Sequence, residues 1–99
     1  MSPLTNAAFV RAKPDWGEDL GQRLLALVAP TRQEEGCLRY EVYQSNEDEN
    51  AWFIFEMWKS AAAFDFHMRT PYVTEFLAQA PQLTVGEIEI RPHRMRSPL

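Results

Sequence analysis

The sequence predicts an α+β fold in which helices cover one side of a four-stranded antiparallel sheet, in the element order β-α-β-β-α-β. Three observations predict it. Runs with the two-residue period of a strand alternate with runs of three- and four-residue helical spacing. The polar stretch Ser45 to Asn50 divides the middle of the chain into a hairpin. Ser60 and Thr70 stand where hydroxyl caps would open helices in the second half.

The first strand is read over Asn6 to Ala12 and closed by Lys13-Pro14, because the residue before a proline is pushed toward extended geometry. Asp15, with Glu18 three positions on, has the pattern of a helix N-cap with an acidic partner. Leu20, Leu24, Leu27, Val28 and Thr31 then form an apolar stripe, with Glu18, Asp19, Gln22 and Arg23 off it. Pro30 lacks an amide hydrogen, so the helix is expected to kink there, and Gly36 is suited to ending it. Glu34 and Glu35 stand near the helix C-terminus against the dipole preference, with no local reason for either.

Strands follow over Cys37 to Gln44 and Ala51 to Lys59. Ser60 caps a helix running through Met68, and Thr70-Pro71 supplies a fresh cap and first-turn proline for Tyr72 to Ala80, which Pro81 ends. Leu83 to Pro92 alternates, with Thr84, Gly86, Ile88 and Ile90 against Val85, Glu87, Glu89 and Arg91, as a strand with one solvated face. The sum is the split βαβ pattern of a ferredoxin-like fold.

A chain of 99 residues with 45% apolar and 24% charged residues suits one globular domain, with a core of about 6–92 and a tail over 93–99. The net charge of -4 argues against nucleic acid as a partner, since phosphate binding rests on clustered Lys and Arg. Arg91, His93, Arg94 and Arg96 read as a solvated terminal cluster. Cys37 is the only cysteine, Met1 to Val10 has no leader pattern, and no run approaches the ~18 apolar residues of a membrane span. A cytoplasmic protein without membrane partners is the expectation. A Gly-rich phosphate loop, a nucleophile elbow and paired Cys or His ligands are all missing, so neither a cofactor nor a metal is expected.

In the third strand Trp52, Ile54, Glu56 and Trp58 point one way while Phe53, Phe55 and Met57 point the other, so both faces are apolar. The helices of one chain cover one face. The face bearing Phe53 and Phe55 therefore predicts a second copy of the chain, a homodimer, each phenyl contributing about 1.5–3 kcal/mol when fully buried.

The runs Glu35-Gly36-Cys37-Leu38-Arg39-Tyr40-Glu41-Val42-Tyr43 and Phe55-Glu56-Met57-Trp58, then Ala63 through His67 and Thr70-Pro71, resemble the antibiotic biosynthesis monooxygenase family of dimeric α+β barrels. The resemblance spans Val10 to about Ile90. It rests on the glycine before the second strand, the Glu-x-Trp pair ending the third, and the His on the next helix. Many family members carry a second His after the Thr-Pro turn, where this chain has Tyr72. The resemblance implies a monooxygenase without a cofactor that oxidises a small aromatic or quinol-type molecule with O2. It also leaves open a non-catalytic ligand-binding or interaction module, a haem degrader and an isomerase of a small phosphorylated sugar.

Glu56, His67 and Trp58 are the candidate catalytic residues. A carboxylate among aromatics is costly unless paired, which suits either a general base or a buried ion pair with Arg39 or His67. An imidazole at His67 could remove a phenolic proton, and the resulting anion can pass an electron to oxygen. Trp58 offers a flat wall for stacking a ring. Tyr40, Tyr43, Tyr72 and Asn6 are candidate ligand contacts. Asn6, Trp58 and His67 also follow the chain order of the Asn, Trp and His of haem degraders, in which His67 would hold iron.

Overall fold

The computed structural model describes residues 3–98. Met1 and Ser2, which open the stretch read for a leader, and Leu99, which ends the predicted tail, lie outside the described residues. The elements are β1 (Leu4–Arg11), α1 (Gly17–Ala26), α2 (Val28–Arg32), β2 (Cys37–Gln44), β3 (Ala51–Trp58), α3 (Ala61–Met68), α4 (Pro71–Leu83) and β4 (Glu89–His93). The strands pair antiparallel in the order β2-β3-β1-β4, giving the ferredoxin-like fold expected.

The alternation of β3 works as its sequence requires. Trp52, Ile54, Glu56 and Trp58 are buried under the helices, where Leu20 and Leu24 of α1 and Phe76 and Ala80 of α4 meet Ala8, Val10 and the β3 side chains. Gly21 lets α1 lie flat on the sheet, since a Cβ there would come within 2.4 Å of the Trp52 ring. On the opposite face Phe9, Phe53 and Tyr43 form a row with ring centroids 5.3 and 5.7 Å apart, and Arg39 and Arg91 lie over Phe55 and Phe9. With Phe9 and Tyr43 beside Phe53 and Arg39 over Phe55, both phenyls are half-buried within one chain, more covered than the bare alternation implies.

Several boundaries differ from expectation, each for a local reason. Asp15 does not cap α1. It takes a left-handed φ of 73°, and the Trp16 amide donates to the Lys13 carbonyl at 2.9 Å, closing a four-residue turn with Pro14 second and the left-handed residue third, the type II signature. The helix breaks at Leu27 rather than at Pro30. A proline removes the hydrogen bond to the carbonyl four residues earlier, here Ala26, so the fault appears one turn upstream. Pro81 lies inside α4, which continues to Leu83, and the Thr84 amide still reaches the Ala80 carbonyl at 3.0 Å. The last strand is shorter than Leu83 to Pro92: Thr84 makes an isolated bridge to Ala12, Gly86 turns the chain at a φ of 71°, and pairing resumes only at Glu89.

In β2 the register slips between Cys37 and Arg39, so Leu38 is an extra residue opposite β3. Cys37 is thereby paired with Trp58 and Tyr40 with Glu56, although the two are three positions apart. Gly36 is not a left-handed helix terminator. It is small because α3 passes directly over it, a Cβ being 2.4 Å from that of Ala63.

Candidate functional site

The site grows from one level of the sheet. Asn6 on β1, Glu56 on β3 and Tyr40 on β2 are directly opposite one another, and each is buried. Glu56 Oε1 accepts from Asn6 Nδ2 and from Trp58 Nε1, both at 3.0 Å. Two donors on one oxygen hold a carboxylate that would otherwise be an expensive buried charge. Neither predicted ion pair forms: Arg39 binds Glu41 on the opposite face, and His67 bonds elsewhere. The indole fixed by Glu56 packs at a tilt of 39° against the His67 ring, centroids 4.5 Å apart, with Tyr40 and Phe64 at 5.7 and 6.3 Å from that imidazole.

The helix bearing His67 is placed by its start. Ser60 takes an extended backbone and its hydroxyl accepts from the Ala63 amide at 3.1 Å, the cap predicted. Thr70 occupies the N-cap position of α4, but its hydroxyl donates back to the His67 carbonyl at 2.7 Å. The α3–α4 corner is thus tied at the histidine itself.

His67 Nδ1 bonds Glu34 Oε2 at 2.8 Å, both side chains being about 95% buried, and the Tyr72 hydroxyl donates to the same oxygen. Glu34 Oε1 is buried and meets no partner among the described residues. Burial, and then the hydrogen bond to Glu34, push the Tyr72 phenol up to about 12. Burial, followed by the Glu56 charge, raises Tyr40 as well, so both phenols stay neutral donors at ordinary pH. Cys37 is raised by burial and then by Glu34 and Glu56, which leaves it a packed thiol.

Two spaces meet this assembly. An inner hollow of about 50 Å³ between sheet and helices is lined by Tyr40, Glu56 and His67 together with apolar side chains that include Met68, Leu77, Ile88 and Ile90. An outer cleft of about 850 Å³ is walled by Pro30, Glu34, Gly36, Ala63, Phe66 and Tyr72. The structure therefore brings together six predicted residues: Asn6, Tyr40, Glu56, Trp58, His67 and Tyr72. Tyr43 is not among them. It points to the opposite face, where its hydroxyl donates to Glu41 at 2.9 Å, because an odd spacing from Tyr40 reverses its side within a regular strand. Glu34 was missed as a site residue, and its signal was the unexplained acid at a helix C-terminus. Asn6, the first residue of the haem-degrader order, has its amide hydrogen-bonded to Glu56.

A ferredoxin-like sheet carrying a buried imidazole between a carboxylate and a tryptophan defines a small α+β domain with a buried polar cluster under its helices. Residues 3–79 match the family described as antibiotic biosynthesis monooxygenase, and the chain belongs to that family. It is 32% identical over 93 residues to an uncharacterised protein of Synechocystis sp., covering 94% of this chain but only 63% of that protein's length. It is 35% identical over 91 residues to the Mycobacterium tuberculosis protein named "Putative monooxygenase Rv0793", covering 92% of this chain and 84% of the relative. The solved structure of Rv0793 superposes with a TM-score of 0.87, over 99% of this chain and 96% of that one. A solved structure of PA3566 from Pseudomonas aeruginosa gives a TM-score of 0.92 at 32% identity, over 98% and 97% of the two chains. No helix among the described residues is long and apolar enough to cross a membrane.

Proposed function

We propose that the protein is a cofactor-independent monooxygenase that oxidises a small hydroxylated aromatic or quinol-type molecule with O2 in the inner hollow. The observation carrying this reading is the imidazole of His67, buried, packed against Trp58 and tied through Nδ1 to Glu34, while lining a hollow whose other walls are apolar apart from Tyr40 and Glu56. With Nδ1 engaged, Nε2 is the nitrogen left to take the proton of a bound hydroxyl. The phenolate so formed passes an electron to O2, and Tyr40 stands close by as a neutral donor for the developing negative charge. Glu56 acts at one remove, holding Trp58 in place beside the imidazole.

A benzene-sized ring occupies a cavity of about 150 Å³, so entry requires Met68, Leu77 and Ile88 to swing out toward the short, exposed β4 edge. The sheet face bearing Phe9, Phe53 and Phe55 is proposed to meet the same face of a second copy. Oxygen uptake with a panel of quinols and anthrones tests the activity: consumption with at least one, abolished in His67→Ala, is expected. Tight binding of a panel member without any turnover would instead favour a non-catalytic ligand-binding module, and would overturn the oxygenase reading.

A further inference from the structure

We infer that the inner hollow admits its ligand only as an uncharged molecule, a neutral phenol or quinol, and turns away carboxylates and phosphate esters; this rests on the reading of the hollow as the ligand site. Glu56 lines the hollow, and the two hydrogen bonds its Oε1 accepts hold it as a carboxylate. Glu34 stands one hydrogen bond behind the His67 ring, 2.8 Å from Nδ1. Protonation of His67 would offset one of these two charges and leave the other. No Lys or Arg occurs among the described residues that line the hollow.

The sign of the field is visible at two residues of β2. After burial, the Glu56 charge is the largest influence raising the Tyr40 phenol, and the Glu34 charge adds to it. Arg32 is the cation that acts here, its guanidinium donating to the Tyr40 carbonyl at 2.8 and 3.0 Å. At Cys37, however, its lowering influence is weaker than the lift from either Glu34 or Glu56. Apolar walls such as Leu24, Ile54 and Phe76 screen the field poorly. An entering anion would lose its water and meet like charge. A neutral phenol brings none, and when His67 Nε2 takes its proton the imidazolium stays beside the phenolate, so the net charge of the hollow does not change. The titratable groups lining the hollow are Tyr40 of β2, Glu56 of β3 and His67 of α3, with Tyr72 and Cys37 close to Glu34. A phosphorylated sugar, one of the ligands the sequence leaves open, is excluded on the same ground.

The test is calorimetric binding to the whole chain, beside oxygen uptake. Of two probes nearly equal in size, 4-hydroxybenzyl alcohol should bind about tenfold or more tightly than 4-hydroxybenzoate. The affinity of 4-nitrophenol, which ionises near neutral pH, should fall about tenfold per pH unit once its own hydroxyl ionises, while that of 4-nitroanisole stays level. Glu56→Gln keeps an oxygen for Asn6 and Trp58 but loses the charge, and it should narrow the preference for the neutral probe about tenfold. Should that variant fail to fold, the two wild-type comparisons decide. Equal binding of the alcohol and the carboxylate, 4-nitrophenol affinity indifferent to its ionisation, or a Glu56→Gln preference equal to wild type would overturn the inference. Binding of none of the probes would overturn it too, together with the hollow as ligand site. Neutral-selective binding in a protein that consumes no oxygen would keep the inference and remove the oxygenase reading instead.

Discussion

Trp58 donates its indole hydrogen to Glu56, its neighbour two positions back on the same strand, at 3.0 Å, and both side chains lie on the buried face. The same carboxylate oxygen also receives Asn6. Glu56→Ala would therefore leave two buried donors without an acceptor, each costing about 1–3 kcal/mol. A loss of about 3–5 kcal/mol is expected in urea unfolding, with Glu56→Gln losing less because an oxygen acceptor remains. A Glu56→Ala protein within about 1 kcal/mol of wild type would mean the three residues are not coupled as described.

Gly36 and Ala63 set the distance between the start of β2 and the helix that carries His67. Gly36→Ala puts a methyl group 2.4 Å from the Ala63 Cβ, and the overlap should cost about 1–3 kcal/mol. The double variant Gly36→Ala with Ala63→Gly removes the clash and should regain part of that loss, less about 1 kcal/mol for a helical glycine. A double-mutant cycle checks it: simple additivity of the two changes would argue against the contact.

Tyr72 supplies a pH dependence whose sign follows from its phenol. The folded state raises it to about 12, while an unfolded tyrosine ionises near 10. The neutral form is the favoured one on folding, so its contribution is complete below about pH 10 and is lost as pH rises through 10 to 12. Tyr40 shifts in the same direction. Unfolding free energy should fall over that window, and Tyr72→Phe should make the fall shallower. An unchanged slope would place Tyr72 away from Glu34.

The α3 cap offers a simpler measurement. Ser60→Ala removes the acceptor of the Ala63 amide and should cost about 1 kcal/mol, with Ser60→Asp recovering most of it. Equal stability of the alanine and aspartate variants would dismiss the cap.

Association is read most directly from Phe53→Glu. A charge in the row of Phe9, Phe53 and Tyr43 should turn a dimer into a monomer in sedimentation velocity without loss of helical signal. Wild-type protein that sediments as a monomer at micromolar concentration would remove the proposed assembly.

What could be read from the residues was what is decided locally. The extents of β2 and β3 and the Ser60 cap follow from alternation and from a hydroxyl beside a helix start, and the observed elements differ by at most a residue. The break at Leu27 was misplaced because proline acts on the carbonyl four residues behind it. Asp15 was misread because the Pro14 turn claims it first. Glu34 was the largest omission in the site. Its two partners lie 33 and 38 positions away, so nothing near it in the chain explains its presence. A local rule broken without local compensation was the trace that a distant partner left.

The Leu38 slip in β2 has a bearing on how copies of the molecule can gather. That strand forms one margin of the sheet and β4 the other, where Pro92 offers no amide hydrogen for a further ladder. Kinked on one flank and missing a donor on the other, the sheet resists sideways extension into fibres. The front-to-front pairing proposed for the opposite face would by contrast close after two molecules.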